Sequence, residues 1–220
     1  ELPKSYQSIL FSVALIFATI CQAVPSPTIN PITIPTAPAL NSKAYLLIDH
    51  DSNKILAEKN AHERVEPASL TKIMTMYVVD NELKNKNIHL EDEVLISKTA
   101  WQTQGSRMFL EVGKKAPVIE LIKGIIIQSG NDASVALAEH IAGSESSFAD
   151  MMNMYAKAIG MNDTNFVNAT GLPDANHYTS AYDLALLTKA IIRDFPETYS
   201  IYAQKSFTFN GIEQPNRNRL

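Results

Sequence analysis

The sequence holds one cysteine in 220 residues. An intrachain disulfide is excluded, and so is a zinc site built from several thiolates. Positive charge is also scarce: 19 Lys and Arg against 23 Asp and Glu leave a net charge of −4. With no basic excess to neutralise phosphates, nucleic acid is not an expected partner. The five histidines, His50, His62, His89, His140 and His177, are scattered, with no HExxH pair and no facial carboxylate arrangement. Neither a metal nor a cofactor is therefore expected. His140, in a helical stretch with apolar neighbours, reads as an ordinary surface or core histidine. The chain also lacks a G-x-G-x-x-G fingerprint, a P-loop and a G-x-S-x-G nucleophile elbow. What remains, 45% hydrophobic and 19% charged, is a globular composition with room for one large domain or two small ones.

Long apolar runs are missing except near the N-terminus. Ile9 to Cys21 has the length of a signal-peptide core, follows Lys4 and ends in Cys21-Gln22-Ala23, with small residues at −3 and −1. Residues 1–23 therefore read as a secretory signal cleaved after Ala23. The run falls short of the roughly 20 residues a membrane-crossing helix needs. Ala18-Thr19-Ile20 lacks the small residue that usually precedes a lipidated cysteine. Cleavage would leave a mature chain without cysteine, working outside the cytoplasm, where a thiol nucleophile is ruled out.

Five of the 11 prolines, Pro25, Pro27, Pro31, Pro35 and Pro38, make residues 24–43 an extended arm. Ala44 to Asp49 and Lys54 to Glu58 read as strands around the turn His50-Asp51-Ser52-Asn53. From Pro67, placed at a first helical position, Leu70, Ile73, Met74, Tyr77 and Val78 recur at helical spacing. A second Pro-led helix starts at Pro117, with Val118, Leu121, Ile122 and Ile125 on one face. Further helices are expected over Ala133 to Ala142, over Phe148 to Ile159 with Gly160 as its stop, and over Ala181 to Arg193, opened by Ser180-x-x-Asp183. The methionines read as core filler. Phe207-Thr208-Phe209 and Asn210-Gly211 suggest a second hairpin. The pattern is α+β, an antiparallel sheet with a helical insertion. Two strands alone are marginal, so further core strands are expected beyond those seen.

Two short motifs carry chemistry. In Ser69-Leu70-Thr71-Lys72 the i and i+3 side chains share a helix face, so a neutral Lys72 amine could take the proton of Ser69. That role needs an amine depressed from about 10.4 by burial or by neighbouring cations. A helix N-terminus also offers N–H groups to a developing oxyanion. Roughly one S-x-x-K is expected by chance in a chain of this composition, and the plainer reading is an exposed Ser with a solvated Lys. Ser129-Gly130-Asn131 is rarer, roughly a twentieth of a chance occurrence, and falls between two helices, where a turn can aim side chains into a cleft. Its plainer reading is a helix cap. Both motifs, in this order and separated by helices, are what gives the pair its meaning.

On these residues the chain resembles the serine D-alanyl-D-alanine carboxypeptidases, the low-molecular-mass penicillin-binding proteins. The likeness extends through Ala44 to Asp49, Pro67 to Met74, Gln128 to Ala133, Thr179 to Ala185, Tyr199 to Tyr202 and Phe207 to Ile212. It implies the penicillin-binding/β-lactamase-like transpeptidase fold, with residues 44–220 as the N-terminal part of a catalytic domain that stops before the later core strands. The resemblance makes Ser69 the acyl-ester nucleophile and Lys72 its base. It has Ser129 pass a proton to the leaving amine and Asn131 bond the substrate backbone. The implied substrate is a peptidoglycan stem peptide ending in D-Ala-D-Ala, β-lactams are the implied inhibitors, and the periplasm or the outer face of the inner membrane is the implied location. Membrane association would come only from a C-terminal region outside this sequence.

The family's K-T-G motif is expected about a dozen residues past Leu220; Lys98-Thr99-Ala100 precedes S-G-N and reads as a surface segment. Without that motif the 220-residue chain is expected to be acylated slowly or not at all, because losing one oxyanion-hole donor typically costs about 10²–10³ in rate. Asn216-Arg217-Asn218 resembles a family turn near the cleft and makes Arg217 a candidate for the substrate carboxylate; a solvated terminal Arg is the alternative. Arg219 stands where the family usually has Gly, and Thr170 where it usually has His. A class A β-lactamase would have Asp at position 130 and a downstream Glu-x-x-Leu-Asn, and has neither here. An endopeptidase of the same family and a catalytically impaired fragment stay open as alternatives.

Overall fold

The computed structural model describes residues Ala37 to Asn218. The expectations for the signal segment, for most of the proline arm and for Arg219 lie outside the described residues. The chain divides at Ala39/Leu40, and every element below belongs to the second part.

The first expected hairpin forms: β1 (Tyr45–Ile48) pairs antiparallel with β2 (Ile55–Lys59), with an irregularity between Leu47 and Ile48. Its turn is held by Asp49, whose carboxylate accepts from the backbone N–H of Ser52 at 2.8 Å, an Asx-type bond. The Pro67 helix differs from expectation. Pro67 has helical angles, but Ala68 turns to φ +48°, which interrupts the helix. Ala68–Leu70 become a 3₁₀ turn and α1 runs over Thr71–Lys84. Leu70, placed by periodicity on the apolar face, is exposed.

β3 (Glu93–Leu95) and β4 (Lys115–Pro117) make a small antiparallel pair around α2 (Lys98–Gln102). Lys98 and Thr99 are exposed, as the surface reading required. Pro117 ends β4, and α3 follows over Val118–Gln128. α4 (Asn131–Ala142) starts two residues earlier than the periodicity suggested and is buried from Asn131 through Ala138. α5 (Glu145–Ile159) is capped by the Ser144 hydroxyl and ends at Gly160, φ +93°. α6 (Ala181–Asp194) is capped by the Ser180 hydroxyl, which accepts from the Asp183 N–H at 3.1 Å. The short α7 (Pro196–Tyr199) follows. The second hairpin is complete, β5 (Ser206–Phe209) with β6 (Ile212–Pro215), joined by Asn210 and Gly211, both at positive φ as a two-residue hairpin turn requires.

The described strands thus form three separate two-stranded ribbons, and helices supply the core. α1 and α4 sit at its centre: Met74, Met76, Val78, Val79, Val135 and Leu137 are all buried, with Phe148, Met152 and Leu187 closing the far side. The methionines at 74, 76, 108 and 152 are core residues, as read from the sequence.

Candidate active site

Three sequence-predicted side chains converge. Ser69, Lys72 and Ser129 line one cleft of about 100 Å³, with Ile73, Met76, Ile125, Ile126 and Tyr202 as its walls. Ser69 comes from the 3₁₀ turn and is exposed, while Lys72, one turn into the same segment, is only 5% exposed. Ala68, immediately before Ser69, has a left-handed φ of +48°. Gly171, at φ +84°, packs against the Ala68 carbonyl so closely that a Cβ would strike it and the Thr71 hydroxyl. Strained backbone of this kind persists only where its surroundings fix it.

Lys72 donates from Nζ to the Thr170 carbonyl at 2.6 Å. Burial, reinforced by the positive charge of Arg217, lowers its pKa from 10.5 to about 8; Asp132 acts in the opposite direction. Such an amine is partly neutral near physiological pH, which a general base requires. The residue at position 170 thus acts through its backbone. The Thr170 hydroxyl itself bonds the Asn168 side chain at 3.0 Å.

Ser129 is the last residue of the α3 turn, at φ 60° and ψ 41°. The Gly130 N–H closes back on the Gly124 carbonyl at 2.9 Å, and the Ser129 N–H is directed to the same carbonyl, so the last turn of the helix ends on Gly124. The Ser129 hydroxyl is buried with no hydrogen-bond partner among the described residues. A buried hydroxyl is rarely left unsatisfied, and this one faces the cleft it shares with Ser69 and Lys72. The helix-cap alternative does not apply, because no side chain caps α4.

Asn131 and Arg217 stand differently. The Asn131 amide donates to the Gln104 carbonyl at 2.6 Å, so the side chain is braced against the 104–110 segment and retains its carbonyl oxygen as an acceptor. Arg217 is exposed and donates from Nη1 to the Ser106 hydroxyl at 2.7 Å, and Ser106 in turn donates to the Gln128 carbonyl beside Ser129. Arg217 is therefore exposed and held by a hydrogen bond to the segment beside Ser129.

Sequence reasoning passed over three supports. Asp132, buried, accepts from the backbone N–H groups of Met108 and Leu110 at 3.0 and 3.1 Å, pinning that segment to the start of α4. Its position in the first turn of a helix was the available signal. The Tyr202 ring closes the cleft and is placed by tertiary packing alone. Buried His177 sits behind Thr71, 2.7 Å from Nε2 to Oγ1, while its Nδ1 accepts from the Val167 N–H. Nδ1 is thus the unprotonated nitrogen, and Nε2 donates to Thr71. Burial lowers the His177 pKa, which keeps this arrangement neutral. His140 is exposed at the end of α4, consistent with an ordinary histidine.

Residues 32–220 match the Peptidase_S11 family, described as D-alanyl-D-alanine carboxypeptidase. The chain is 51% identical over 190 residues to the D-alanyl-D-alanine carboxypeptidase DacC of Escherichia coli K12, covering 84% of this chain and 48% of that protein. It is 48% identical over 193 residues to DacA of the same organism, covering 85% and 48%. The chain thus spans about half the length of the curated relatives it matches. Among solved structures it resembles penicillin-binding protein 5 from Haemophilus influenzae, with a TM-score of 0.81 and 47% identity over 83% of this chain and 54% of that one.

Proposed function

The chain belongs to the D-alanyl-D-alanine carboxypeptidase family, and from that premise we propose that its protein removes the terminal D-Ala from peptidoglycan stem peptides ending in D-Ala-D-Ala. The observation that carries this reading is one cleft holding an exposed Ser69, a buried Lys72 with its pKa brought down to about 8, and a Ser129 hydroxyl with no partner.

In the proposed reaction Ser69 Oγ attacks the penultimate D-Ala carbonyl and its proton passes to neutral Lys72 Nζ. The Thr170 carbonyl orients that amine and gains strength as an acceptor when the ammonium forms. The tetrahedral intermediate collapses by breaking the amide bond. Ser129 hands a proton to the departing D-Ala nitrogen and is reprotonated from Lys72. Water then hydrolyses the Ser69 ester and restores the hydroxyl. Asn131 bonds the peptide backbone, and Arg217 at the rim attracts the terminal carboxylate. A β-lactam would follow the first half of this path and remain on Ser69. The signal-like Ile9 to Cys21 run supports a periplasmic location, at the outer face of the inner membrane. No helix among the described residues is long and apolar enough to cross a membrane.

The test is covalent labelling of the protein that carries this sequence. A fluorescent penicillin is expected to label wild type and to leave Ser69→Ala unlabelled, and D-alanine is expected to be released from a D-Ala-D-Ala peptide only by the former. Labelling of Ser69→Ala would overturn the nucleophile, and labelling without D-alanine release would overturn the carboxypeptidase reading.

A further inference from the structure

α1 carries a second buried charge, eight residues past Lys72 and so roughly 12 Å further along the helix. Asp80 is 2% exposed, and neither of its carboxylate oxygens has a hydrogen-bond partner among the described residues. The Thr198 hydroxyl approaches and restrains the effect of burial, without closing a bond of ordinary geometry. Among the described residues no Lys, Arg or His forms an ion pair with it. An uncompensated carboxylate in such a place is costly and is normally paired.

Asp80 lies against a cleft of about 600 Å³ between the end of α1, the Ile88–Glu91 stretch and the junction of α6 with α7. The walls are apolar, with Ile88, Phe195 and Pro196 among them, and the rim adds the carboxylates of Glu91 and Glu197. Three further titratable groups line it and are already engaged, among them His89, 3.6 Å from the Asp92 carboxylate. Asp194 is paired with Arg193 and bonded by Tyr77, and the Lys84 ammonium lies over the Phe195 ring. The cleft therefore has apolar sides and a mouth carrying Glu91 and Glu197, with the buried Asp80 carboxylate just beneath its floor.

We propose that this cleft binds a primary ammonium group on a short apolar stem, with Asp80 as its counter-ion. A carboxylate with two free oxygens is matched by a compact donor, and an ammonium offers three N–H bonds from a single point. The apolar walls take the methylenes, as they do for lysine side chains whose charged heads reach a polar group. The acidic rim raises the local concentration of cations. The chemistry is shared by free alkylamines and by lysine-type side chains of a peptide. The site is separate from the Ser69 cleft, although the Asp80 charge is felt by Tyr202, a wall of that cleft.

Calorimetric titration of the full chain with n-pentylammonium, n-pentanol and Nα-acetyl-lysine amide tests it. Pentylammonium is expected to bind and pentanol to bind at least about tenfold more weakly, because loss of one charged hydrogen bond of about 1.4 kcal/mol corresponds to that factor. Asp80→Asn, which removes a buried charge and is expected to stay folded by circular dichroism, should lose about tenfold or more in pentylammonium affinity. The double variant Glu91→Gln/Glu197→Gln, at the exposed rim, should lose less and keeps the test valid should Asp80→Asn misfold. Binding of the lysine amide together with pentylammonium supports the site and identifies peptide side chains as its source. Binding of pentylammonium alone supports the site and identifies small amines. Equal binding by Asp80→Asn, equal binding of pentanol, or no binding at about 10 mM pentylammonium overturns the proposal.

Discussion

Lys72 and Thr170, 98 residues apart in the chain, meet in a 2.6 Å bond from the lysine Nζ to the threonine carbonyl. That contact fixes the amine beside Ser69 without supplying a negative charge, so burial, reinforced by Arg217 and only partly opposed by Asp132, drives its pKa down to about 8. Acylation should therefore rise with pH and level off above about 8, as the amine becomes neutral. Stability carries the opposite sign of benefit. Below about pH 8 the folded state holds a charged buried lysine that the unfolded state holds in water, a cost of at most about 3 kcal/mol. The cost shrinks between about 8 and 10.5 and is gone above it. Lys72→Met should be inactive yet more stable than wild type at pH 7, with the difference closing towards pH 10.5 in urea titrations.

Arg217 and Asp132 pull on the same amine from opposite sides, the first lowering and the second raising its pKa. Arg217→Gln should shift the midpoint of the pH–acylation profile upward, and Asp132→Asn should shift it downward. Asp132→Asn should also destabilise by about 1.5–3 kcal/mol, since its carboxylate holds the Met108 and Leu110 N–H groups. Arg217 is exposed, so its shift should fade with added salt. Stopped-flow acylation across pH, at two ionic strengths, reads both.

Gly171 is the position where a single methyl group should do most harm. At φ +84° an L-residue pays about 1–2 kcal/mol. The added Cβ of Gly171→Ala would also collide with the Ala68 carbonyl, so the turn carrying Ser69 has to move. A lower melting temperature is expected, together with an acylation rate reduced by about 10², the effect of displacing a reacting group by about 1 Å. Thermal denaturation and penicillin labelling measure the two losses, and normal labelling by a destabilised variant would separate fold from site.

Much of this arrangement was legible in sequence where the signal is local. Ser180-x-x-Asp183, Asn210-Gly211 and the apolar rows of α3 each act over a few residues, and each forms as read. β3 and β4 were not legible, because three residues apiece cannot display an alternation. α1 misled for a different reason. The apolar row read from Leu70 to Val78 accounts for only part of what is buried: Thr71, Lys72, Thr75, Asp80 and Glu82 are buried as well. Periodicity describes a helix with one neighbour, and α1 is surrounded. The partners of Lys72, Thr71 and Thr75, which are Thr170, His177 and Ala169, lie about a hundred residues away. The pairing of Ser69 with Ser129 was readable from motif order, while the support from Asp132 and Tyr202 needed the packing.

Asp80 offers the last test, since its pKa is raised from 3.8 to about 7 by burial. Below about pH 4 both folded and unfolded states carry the neutral acid, and its burial costs nothing extra. As pH rises through 7 the unfolded chain has long since ionised, and the folded state must bury the charge. The full penalty, at most about 4 kcal/mol, is then present. Asp80→Asn should be the more stable protein at pH 8, by that amount less the roughly 1–3 kcal/mol of an unmet amide. The advantage should disappear near pH 4. His177 contributes with the opposite sign, its depressed pKa costing stability as pH falls below about 6.5. The difference between variant and wild type cancels that contribution and isolates Asp80. Pentylammonium should then narrow the gap at pH 8 by stabilising wild type more than the variant, as tighter binding to the folded state requires. A gap that stays constant from pH 4 to 8 would mean that Asp80 is already neutral or paired throughout.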